Sequence, residues 1–306
     1  MARVQDPEIF RETLENLPLA LCLVDPEGRI LFWNRCAENM TGFMRHDVIG
    51  RSANDRILMH CDETGKLLTR DESPLSRATR EGKQHSSELY VRHKAGHRLR
   101  VRTTAIPILD DFGVVKAAVE CFYELPATPA NDRHRMVLAA HGCLDRTSGL
   151  LNQAMSQSHL RESLAMLNDF GLRFGVLWVQ VQGLVKVAMK DGREAADALI
   201  YVIAQTLAHE LGPSVTLGRW SEDQFLAIVP DCTAVELEQL AQKVKRVVGV
   251  SGIDWWGDPL SLVVTVGRAM AEIGEDPQSL LRRACHAVAM NGEEDADSKR
   301  EGGTAP

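Results

Sequence analysis

The sequence lacks the marks of a secreted or membrane-spanning protein. No stretch approaches the ~18 uncharged apolar residues that cross a bilayer. The segment 1–7 has no apolar core of signal-peptide length. The seven cysteines include no Cys-x-x-Cys pair, a pattern typical of reduced thiols rather than of a disulfide framework or a zinc site. We therefore expect a cytoplasmic protein without a membrane segment.

The chain also lacks an excess of positive charge. Its 306 residues include 35 Lys and Arg against 42 Asp and Glu, so the formal net charge is -7. This balance argues against a broad nucleic-acid or anionic-membrane surface. With 44% hydrophobic residues, the chain has enough apolar material for two domains with separate cores.

The first predicted domain is an α+β unit over residues 8–125. Short apolar runs on both sides of a polar turn predict a β-hairpin over residues 19–33. The segment Asn34–Thr41 predicts a short helix that Gly42 closes. Three more strands are predicted at residues 86–92, 97–107 and 114–123.

Three segments of this unit resemble a PAS domain. They are residues 23–34, residues 47–51 and the His-Lys-Ala-Gly-His-Arg of residues 93–98, where PAS domains often read His-Lys-Asp-Gly-His. The resemblance covers nearly all of residues 8–125 and implies an antiparallel sheet with small helices. It does not identify the ligand of the sensor. Trp33 is a candidate for lining a ligand pocket, with packing in the core as the alternative.

Histidines in the first unit raise the alternative of a haem or metal site. The spacing of His60, His93 and His97 matches no metal motif, and His93 and His97 flank a turn as ordinary exposed residues do. We therefore expect neither group. Three cysteines in apolar surroundings are predicted to act as small core residues, namely Cys22, Cys36 and Cys121.

A boundary follows the first unit. Residues 126–132 contain two prolines and small residues, which cannot continue a helix or a central strand. Asn131 or Asp132 would cap a helix that runs to about Leu144, so residues 126–144 form a predicted linker and signalling helix. The polar tail 293–306 is predicted to be disordered.

The second unit, residues 145–292, alternates helices and strands and predicts an α/β domain with a central sheet. The predicted elements are a helix at 153–169, a strand at 173–181, a helix at 192–211, a hairpin around 221–224, a helix at 234–249, a strand at 261–271 and a helix at 277–290.

The hairpin carries the most informative stretch, Gly-Arg-Trp-Ser-Glu-Asp-Gln-Phe at residues 218–225. It resembles the Gly-Gly-Asp/Glu-Glu-Phe signature of diguanylate cyclases, the GGDEF family, and Phe225 matches the phenylalanine of that signature. Residues 145–152 and 265–269 resemble two further segments of the family at agreeing spacing. The resemblance implies a nucleotidyl-cyclase-like palm fold. It also implies a homodimer, because the family places two GTP molecules on facing protomers.

The resemblance implies a metal site that this sequence has largely lost. In the family, Mg²⁺ is held by an aspartate at the end of the first strand and by an acidic hairpin residue, and Mg²⁺ prefers carboxylate oxygens. The aspartate falls at Gln180, while Ser221 and Glu222 replace the two glycines and Gln224 replaces the glutamate. Asp223 is the sole matched carboxylate and the weak remaining metal candidate.

Recognition of the nucleotide is also reduced. The family's guanine-reading asparagine falls at Ala188, although its aspartate is retained as Asp197. The phosphate-contacting lysine falls near Gly292. Gly183 and Leu184 lie in a predicted phosphate loop whose backbone N–H groups remain available. A nucleotide lying against a tight turn often requires glycine at φ > 0, so the two lost glycines also crowd the expected guanosine.

We therefore expect a cyclic-di-GMP signalling protein in which a PAS sensor is coupled to a degenerate GGDEF domain. That domain would act as a regulatory, dimerisation or docking module on other cyclic-di-GMP enzymes or effectors. One alternative is an active or residually active cyclase that uses Mg²⁺ and makes cyclic-di-GMP from two GTP molecules. The other is a regulator that binds GTP or a cyclic dinucleotide without turnover. Trp255 and Trp256 are predicted to be buried, with a partner-facing patch as the alternative.

Overall fold

The computed structural model describes residues 7–53, 57–125, 138 and 140–287. The chain divides into two compact units, Met1–Leu125 and Pro126–Pro306, and each is described by itself. Across these described ranges, no helix is long and apolar enough to cross a membrane. The predicted tail 293–306 lies outside them.

The first unit is a five-stranded antiparallel sheet with small helices. Its strands follow the order β2-β1-β5-β4-β3. The predicted hairpin and the three later strands are confirmed to within two residues, whereas helix α1 was not predicted. The elements are α1 (Pro7–Asn16), β1 (Ala20–Val24), β2 (Ile30–Trp33), α2 (Arg35–Thr41), α3 (Arg45–Val48), a 3₁₀ turn (Arg70–Glu72), α4 (Pro74–Glu81), β3 (His85–Arg92), β4 (Arg98–Leu109) and β5 (Val115–Glu124).

A buried asparagine joins three of these elements. Asn34 is fully buried and caps α2, because its Oδ1 accepts a hydrogen bond from Ala37 N at 2.9 Å. The same oxygen accepts from Leu21 N in β1 at 3.0 Å. Its Nδ2 donates to Leu19 O at 2.8 Å and to Leu14 O in α1 at 3.1 Å. The side-chain amide therefore uses its full hydrogen-bonding capacity.

Trp33 lies in the core of this unit. It is fully buried, its ring centroid is 6.2 Å from that of Phe122, and its Nε1 donates to Phe43 O at 3.0 Å. These contacts favour core packing, the alternative to a pocket-lining role.

A polar cluster is buried on the inner face of the same sheet. Glu120 is fully buried between Ala118 and Phe122 along β5. Its Oε1 accepts from Thr103 Oγ1 at 2.5 Å and lies 3.0 Å from Nε2 of His60, whose side chain is 4% exposed. Burial, reinforced by the nearby Glu120 carboxylate, raises the pKa of the Cys22 thiol well above its usual value. The predicted core position of Cys22 is confirmed.

Two predictions about side-chain exposure are wrong, because the sequence predicts an exposed His97 and a buried Trp256 and the structure shows the opposite. His97 is only 6% exposed, and its ring stacks on that of His93 at a centroid distance of 4.2 Å. Trp256 is 94% exposed at the tip of a short hairpin. No group of three or more potential metal ligands occurs among the described residues.

The second unit is a four-stranded antiparallel sheet with the order β11-β6-β8-β7, beside a two-stranded sheet of β9 and β10. Its elements are α5 (Gln153–Phe170), β6 (Phe174–Gln182), α6 (Leu184–Asp191), α7 (Arg193–Leu211), β7 (Thr216–Arg219), β8 (Gln224–Pro230), α8 (Ala234–Gly249), β9 (Ile253–Trp255), β10 (Asp258–Leu260), β11 (Val263–Met270) and α9, whose described part is 277–287.

In this part of the chain one helix, α6, was not predicted, and one predicted boundary is wrong. The predicted phosphate loop is short, because α6 begins at Leu184 immediately after Gly183. Gly192, at φ 91°, separates α6 from α7. The predicted signalling helix does not reach Leu144, since residues 141–142 form a turn. Most of the predicted segment 126–144 lies outside the described residues.

Strand β6 is buried on both faces. Leu177, Val179 and Val181 join the core formed with α7 and α8. Val176 and Trp178 join a second core formed with α5 and α9. Because side chains alternate along a strand, Gln180 is next on this second face, at the end where the apolar cluster stops. Gln180 thus lies near the carboxyl-terminal end of this inner strand, between Thr265 of β11 and Gln224 of β8.

We expect His60→Leu to destabilise the first unit by about 1–3 kcal/mol, because it leaves the buried Glu120 carboxyl with one polar neighbour fewer. Replacing both residues by leucine removes the buried polar pair altogether and should recover most of this loss. Urea unfolding measures both effects. The matched control is His46→Leu, at a side chain that is 79% exposed, which should change stability by no more than about 0.5 kcal/mol. Equal losses in His60→Leu and the control would contradict a stabilising pair.

Candidate functional site

The turn of the predicted hairpin lies against the end of β6. Strands β7 and β8 pair up to Arg219 opposite Phe225, so residues 220–223 form the turn. Trp220 N donates to Gln224 O at 2.8 Å, and Val181 N donates to Asp223 O at 2.8 Å. Neither Ser221 nor Glu222 has a positive φ. The turn therefore forms without the left-handed conformation that would favour glycine.

Four polar side chains form a closed ring between this turn and β6. Gln180 Nε2 donates to Asp223 Oδ2 at 2.6 Å, and Gln224 Nε2 donates to Gln180 Oε1 at 2.7 Å. The hydroxyl of Ser221 lies 3.2 Å from Asp223 Oδ1 and 3.0 Å from Gln224 Oε1. Its single proton is shared between these two acceptors.

The direction of the ring follows from Asp223. An ionised carboxylate only accepts hydrogen bonds, so the nitrogen of the Gln180 amide must face it. The Gln180 oxygen then points to Gln224, whose amide must present its own nitrogen. The two substituted glutamines thus direct an N–H group towards the carboxylate and use the remaining oxygen internally.

These residues do not fit a Mg²⁺ site. Mg²⁺ requires oxygen ligands in near-octahedral geometry and is usually bound through one or two carboxylates with substrate phosphates. Here one carboxylate is available, its oxygens accept from Gln180 and Ser221, and both glutamine side chains are engaged in the ring. The ring thus offers a metal ion one carboxylate and no second charged oxygen.

A second polar link ties the turn to the start of the domain. Arg219 donates from Nε to Ser221 O at 3.0 Å and from Nη2 to Glu222 O at 2.6 Å, while Nη1 lies 3.1 Å from Asp145 Oδ1. Asp145 Oδ1 also accepts from Ser148 N and Oγ, both at 2.8 Å. Partial burial raises the pKa of Asp145, but the bonds from Ser148 and Arg219 outweigh it and the net pKa is lowered.

Sequence reasoning did not pair Asp145 with Arg219. The two residues are 74 positions apart, and no local pattern connects them. The available signal was that both lie in segments that resemble family motifs, at residues 145–152 and 218–225.

A pocket of about 750 Å³ lies beside the turn. It brings together four of the predicted site positions, Leu184, Asp197, Ser221 and Glu222, with Ala188 between them. Gln180, Gly183, Asp223 and Gln224 are not among its lining residues, and Gly292 is outside the described residues. The complete lining is Asp145, Thr147, Asn152, Gln153, Leu184, Val185, Ala188, Met189, Arg193, Ala196, Asp197, Arg219, Trp220, Ser221 and Glu222.

One wall of the pocket is apolar. Val185 and Met189 follow each other at i, i+4 on α6 and are 63% and 83% exposed. Leu184 and Ala188 extend this wall, and Trp220 also lines the pocket. A wall of this kind offers contact area and no hydrogen bonds from its side chains.

We expect the double variant Gln180→Asp/Gln224→Glu to acquire metal-dependent stability. It places three carboxylates where the ring now stands, so a divalent cation relieves their repulsion. Mg²⁺ or Mn²⁺ at 100 times its dissociation constant would stabilise the variant by about 2.7 kcal/mol, which corresponds to a melting-temperature rise of roughly 5 °C or more.

The control for this change is Gln242→Glu/Gln278→Asp, which adds the same charges at two exposed helical positions. Differential scanning fluorimetry with and without the metal should give no comparable shift for the control or the unmodified protein. A metal-dependent rise of the same size in the unmodified protein would show that the ring opens readily.

We expect Asp145→Asn to destabilise the protein by about 1–2 kcal/mol at pH 7, because it weakens charged hydrogen bonds. Since the folded-state pKa is lowered, this stabilisation is fully present above the ordinary value of 3.8. It is lost as the pH falls through the folded-state pKa. Urea unfolding between pH 7 and pH 3 should therefore show the two proteins converging in acid. Asp258→Asn, at an exposed position, is the control, and a difference independent of pH would contradict the assignment.

Comparisons with known proteins agree on two families. The family model "Diguanylate cyclase, GGDEF domain" matches residues 143–297, and the PAS domain model matches residues 18–125. Both predicted folds are therefore confirmed: an antiparallel PAS sheet with small helices and a cyclase-like α/β domain.

Curated relatives are distant and longer. The probable diguanylate cyclase DgcE of Escherichia coli (strain K12) is 22% identical over 256 residues, which are 84% of this chain and 22% of the relative. The cyclic di-GMP phosphodiesterase PdeB of Shewanella oneidensis is 21% identical over 263 residues, 80% of this chain and 27% of the relative. The chain thus spans about a fifth to a quarter of the length of these relatives.

Among solved structures, the GGDEF domain of FimX from Pseudomonas aeruginosa is 15% identical with a TM-score of 0.47, over 50% of this chain and 94% of that one. The coiled coil and GGDEF domain of DgcB from Caulobacter crescentus, in complex with c-di-GMP, is 17% identical with a TM-score of 0.48, over 53% and 87%. With its second unit matched from residue 143 to residue 297 and its first unit matched as a PAS domain, the chain belongs to the GGDEF family.

Proposed function

We propose that this chain is a cyclic-di-GMP signalling protein whose GGDEF domain is a regulatory, dimerisation or docking module and not a diguanylate cyclase. The PAS domain would sense a ligand or partner, and the GGDEF domain would carry the response to a second copy or to other cyclic-di-GMP enzymes and effectors. The observation that carries the proposal is the closed ring of Gln180, Ser221, Asp223 and Gln224.

The ring bears on catalysis through charge. Joining two GTP molecules develops negative charge on phosphate oxygens, and enzymes of phosphoryl chemistry stabilise it mainly with metal ions and positioned cations. In this site Asp223 is the one hairpin carboxylate held at the ring, and its partners are a neutral amide and a hydroxyl. Such a site supplies one carboxylate and no second charged ligand for a metal ion.

The setting in cyclic-di-GMP signalling is supported independently of the ring. The chain is related to diguanylate cyclases and to a cyclic di-GMP phosphodiesterase. A GGDEF domain that keeps its fold but has neutral side chains at the metal position is better suited to regulating other proteins than to catalysing GTP turnover.

Binding of GTP or a cyclic dinucleotide without turnover is a second candidate. The observation that favours it is the retained pocket of about 750 Å³, which still holds Asp197, the residue matched to a guanine-reading aspartate. This function is compatible with the ring, because Ser221 is the one ring member among the lining residues of the pocket.

The test is incubation of the full chain with GTP and either Mg²⁺ or Mn²⁺, followed by mass spectrometry for cyclic-di-GMP. We expect no product above that of the Asp223→Ala variant, since neither protein can hold the metal. Metal-dependent product that disappears in Asp223→Ala would establish an active cyclase and refute the proposal. Calorimetry with GTP in the same preparation separates a nucleotide-binding regulator from a module that works by protein contacts alone.

A further inference from the structure

The tip of the β9–β10 hairpin exposes a tryptophan that the proposed function does not use. Trp256 is 94% exposed, although aromatic side chains of this size are usually buried for the most part. We propose that this hairpin docks on helix α6 of a second copy of the chain, and that the contact is made twice across a two-fold axis. The inference rests on the proposed function, because it names the surface through which the GGDEF domain would dimerise.

The conformation of the turn does not account for a tryptophan at this position. Trp256 and Gly257 are the two turn residues, because Trp255 pairs with Asp258. Both turn residues have a positive φ, 49° and 95°, as in the type I′ turn, where asparagine or aspartate before glycine is favoured. A bulky side chain in the left-handed region is strained. Contact with a partner explains a strained and exposed tryptophan better than packing within its own domain does.

The hairpin carries negative charge on both sides of the tryptophan. Asp254 and Asp258 are exposed, and no cationic residue lies between them in the sequence. Protein interfaces pair an apolar centre with a polar rim, and the charges of the two partners are complementary. A surface that fits this hairpin therefore offers apolar area to the indole ring and places cations beside it.

One side of helix α6 has this combination. Val185 and Met189 are 63% and 83% exposed, and each is followed by an exposed lysine, Lys186 or Lys190. Because successive residues of a helix lie about 100° apart, the lysines form a row beside the apolar row. Neither lysine forms an ion pair with any residue that the structure describes. These four residues are the α6 surface, and Asp191 lies about 100° beyond Lys190, outside it.

The α6 surface extends away from the neighbouring pocket. Leu184 and Ala188 line that pocket, and helical geometry places them on the side of the apolar row opposite to the lysines. Lys186 and Lys190 are not among the lining residues. A hairpin on the α6 surface is therefore held by the outer side of the helix and by the two lysines.

The charges and the exposure of these two surfaces favour a second copy as the occupant. Two carboxylates flank the indole on the hairpin, and two ammonium groups flank the apolar row on α6. Trp256, Val185 and Met189 are all exposed within one copy, so a chain does not cover its own α6 with its own hairpin. Each copy thus carries both halves of a complementary pair that it leaves unjoined, which is what a contact between copies requires.

The size of the contact indicates that it is made twice. A tryptophan buries roughly 150–250 Å², a small part of the roughly 1,200–2,000 Å² that stable interfaces bury. A second, identical contact across a two-fold axis doubles the buried area and closes the assembly, whereas a single head-to-tail contact leads to rings or filaments. We therefore expect a weak dimer, with a dissociation constant on the order of 10 µM.

The experiment is analytical ultracentrifugation of the full chain and of Trp256→Asn, at protein concentrations on both sides of that dissociation constant. Asparagine before Gly257 suits a type I′ turn, so the hairpin keeps its fold while it loses the indole. The dissociation constant should rise at least about tenfold, as for a central tryptophan of an interface. The matched control is Phe112→Asn, at an aromatic residue that is 91% exposed between β4 and β5. It should leave the dimer unchanged.

Two charge-reversed proteins test which surfaces meet. One carries Asp254→Lys/Asp258→Lys on the hairpin, and the other carries Lys186→Glu/Lys190→Glu on α6. Each protein alone should associate at least about tenfold more weakly, because like charges meet in both of its contacts. An equimolar mixture of the two should form a heterodimer, because each contact then joins opposite charges. Thermal melting checks that both proteins are folded.

Three results would overturn the inference. They are a chain that stays monomeric, a dimer that Trp256→Asn does not weaken, and folded charge-reversed proteins that do not associate when mixed. Each of them leaves the proposed function standing, because the GGDEF domain can still dock on other proteins. Metal-dependent formation of cyclic-di-GMP refutes the proposed function itself and leaves the contact between hairpin and helix untouched.

Discussion

The carboxylate of Asp223 needs hydrogen-bond donors or a cation beside it. The side chains on the hairpin side of the second domain are arranged to supply the donors. A half-buried negative charge needs either a cation or several hydrogen-bond donors, since leaving it without partners costs more than a typical hydrogen bond contributes. Gln180 and Ser221 supply the donors, and Gln224 completes the ring. The ring links the end of β6 to the turn through neutral groups, at the position where the family resemblance implies a metal ion.

Much of the architecture was readable from the sequence because it depends on local patterns. The apolar run of β6, the short helix closed by Gly42 and the polar turn between β7 and β8 all fall where they were expected. Helix α6 was missed because its eight residues lie between two glycines and its first two, Leu184 and Val185, were assigned to a phosphate loop. Helix α1 was also missed, and none of its residues is buried.

The site was predicted in composition but not in arrangement. The loss of a charge at the expected aspartate could be read from the residue type alone, because Gln180 is neutral. The hydrogen bonds of Gln180 to Asp223 and Gln224 could not be predicted in the same way. They depend on the register of strands β6 and β8, which places Gln180 opposite Gln224. The buried contact of His60 with Glu120 was unreadable for the same reason, because it joins residues 60 positions apart.

Asn34 gives the first unit a property that its strands and helices do not have separately. Its one amide holds Leu14 in α1, Leu21 in β1 and the first turn of α2. Loss of this amide would leave polar backbone groups without partners at three places at once. The attachment of the N-terminal helix, the position of the first strand and the start of the next helix are therefore coupled, so this corner of the sensor domain opens as one cooperative unit rather than fraying from its end.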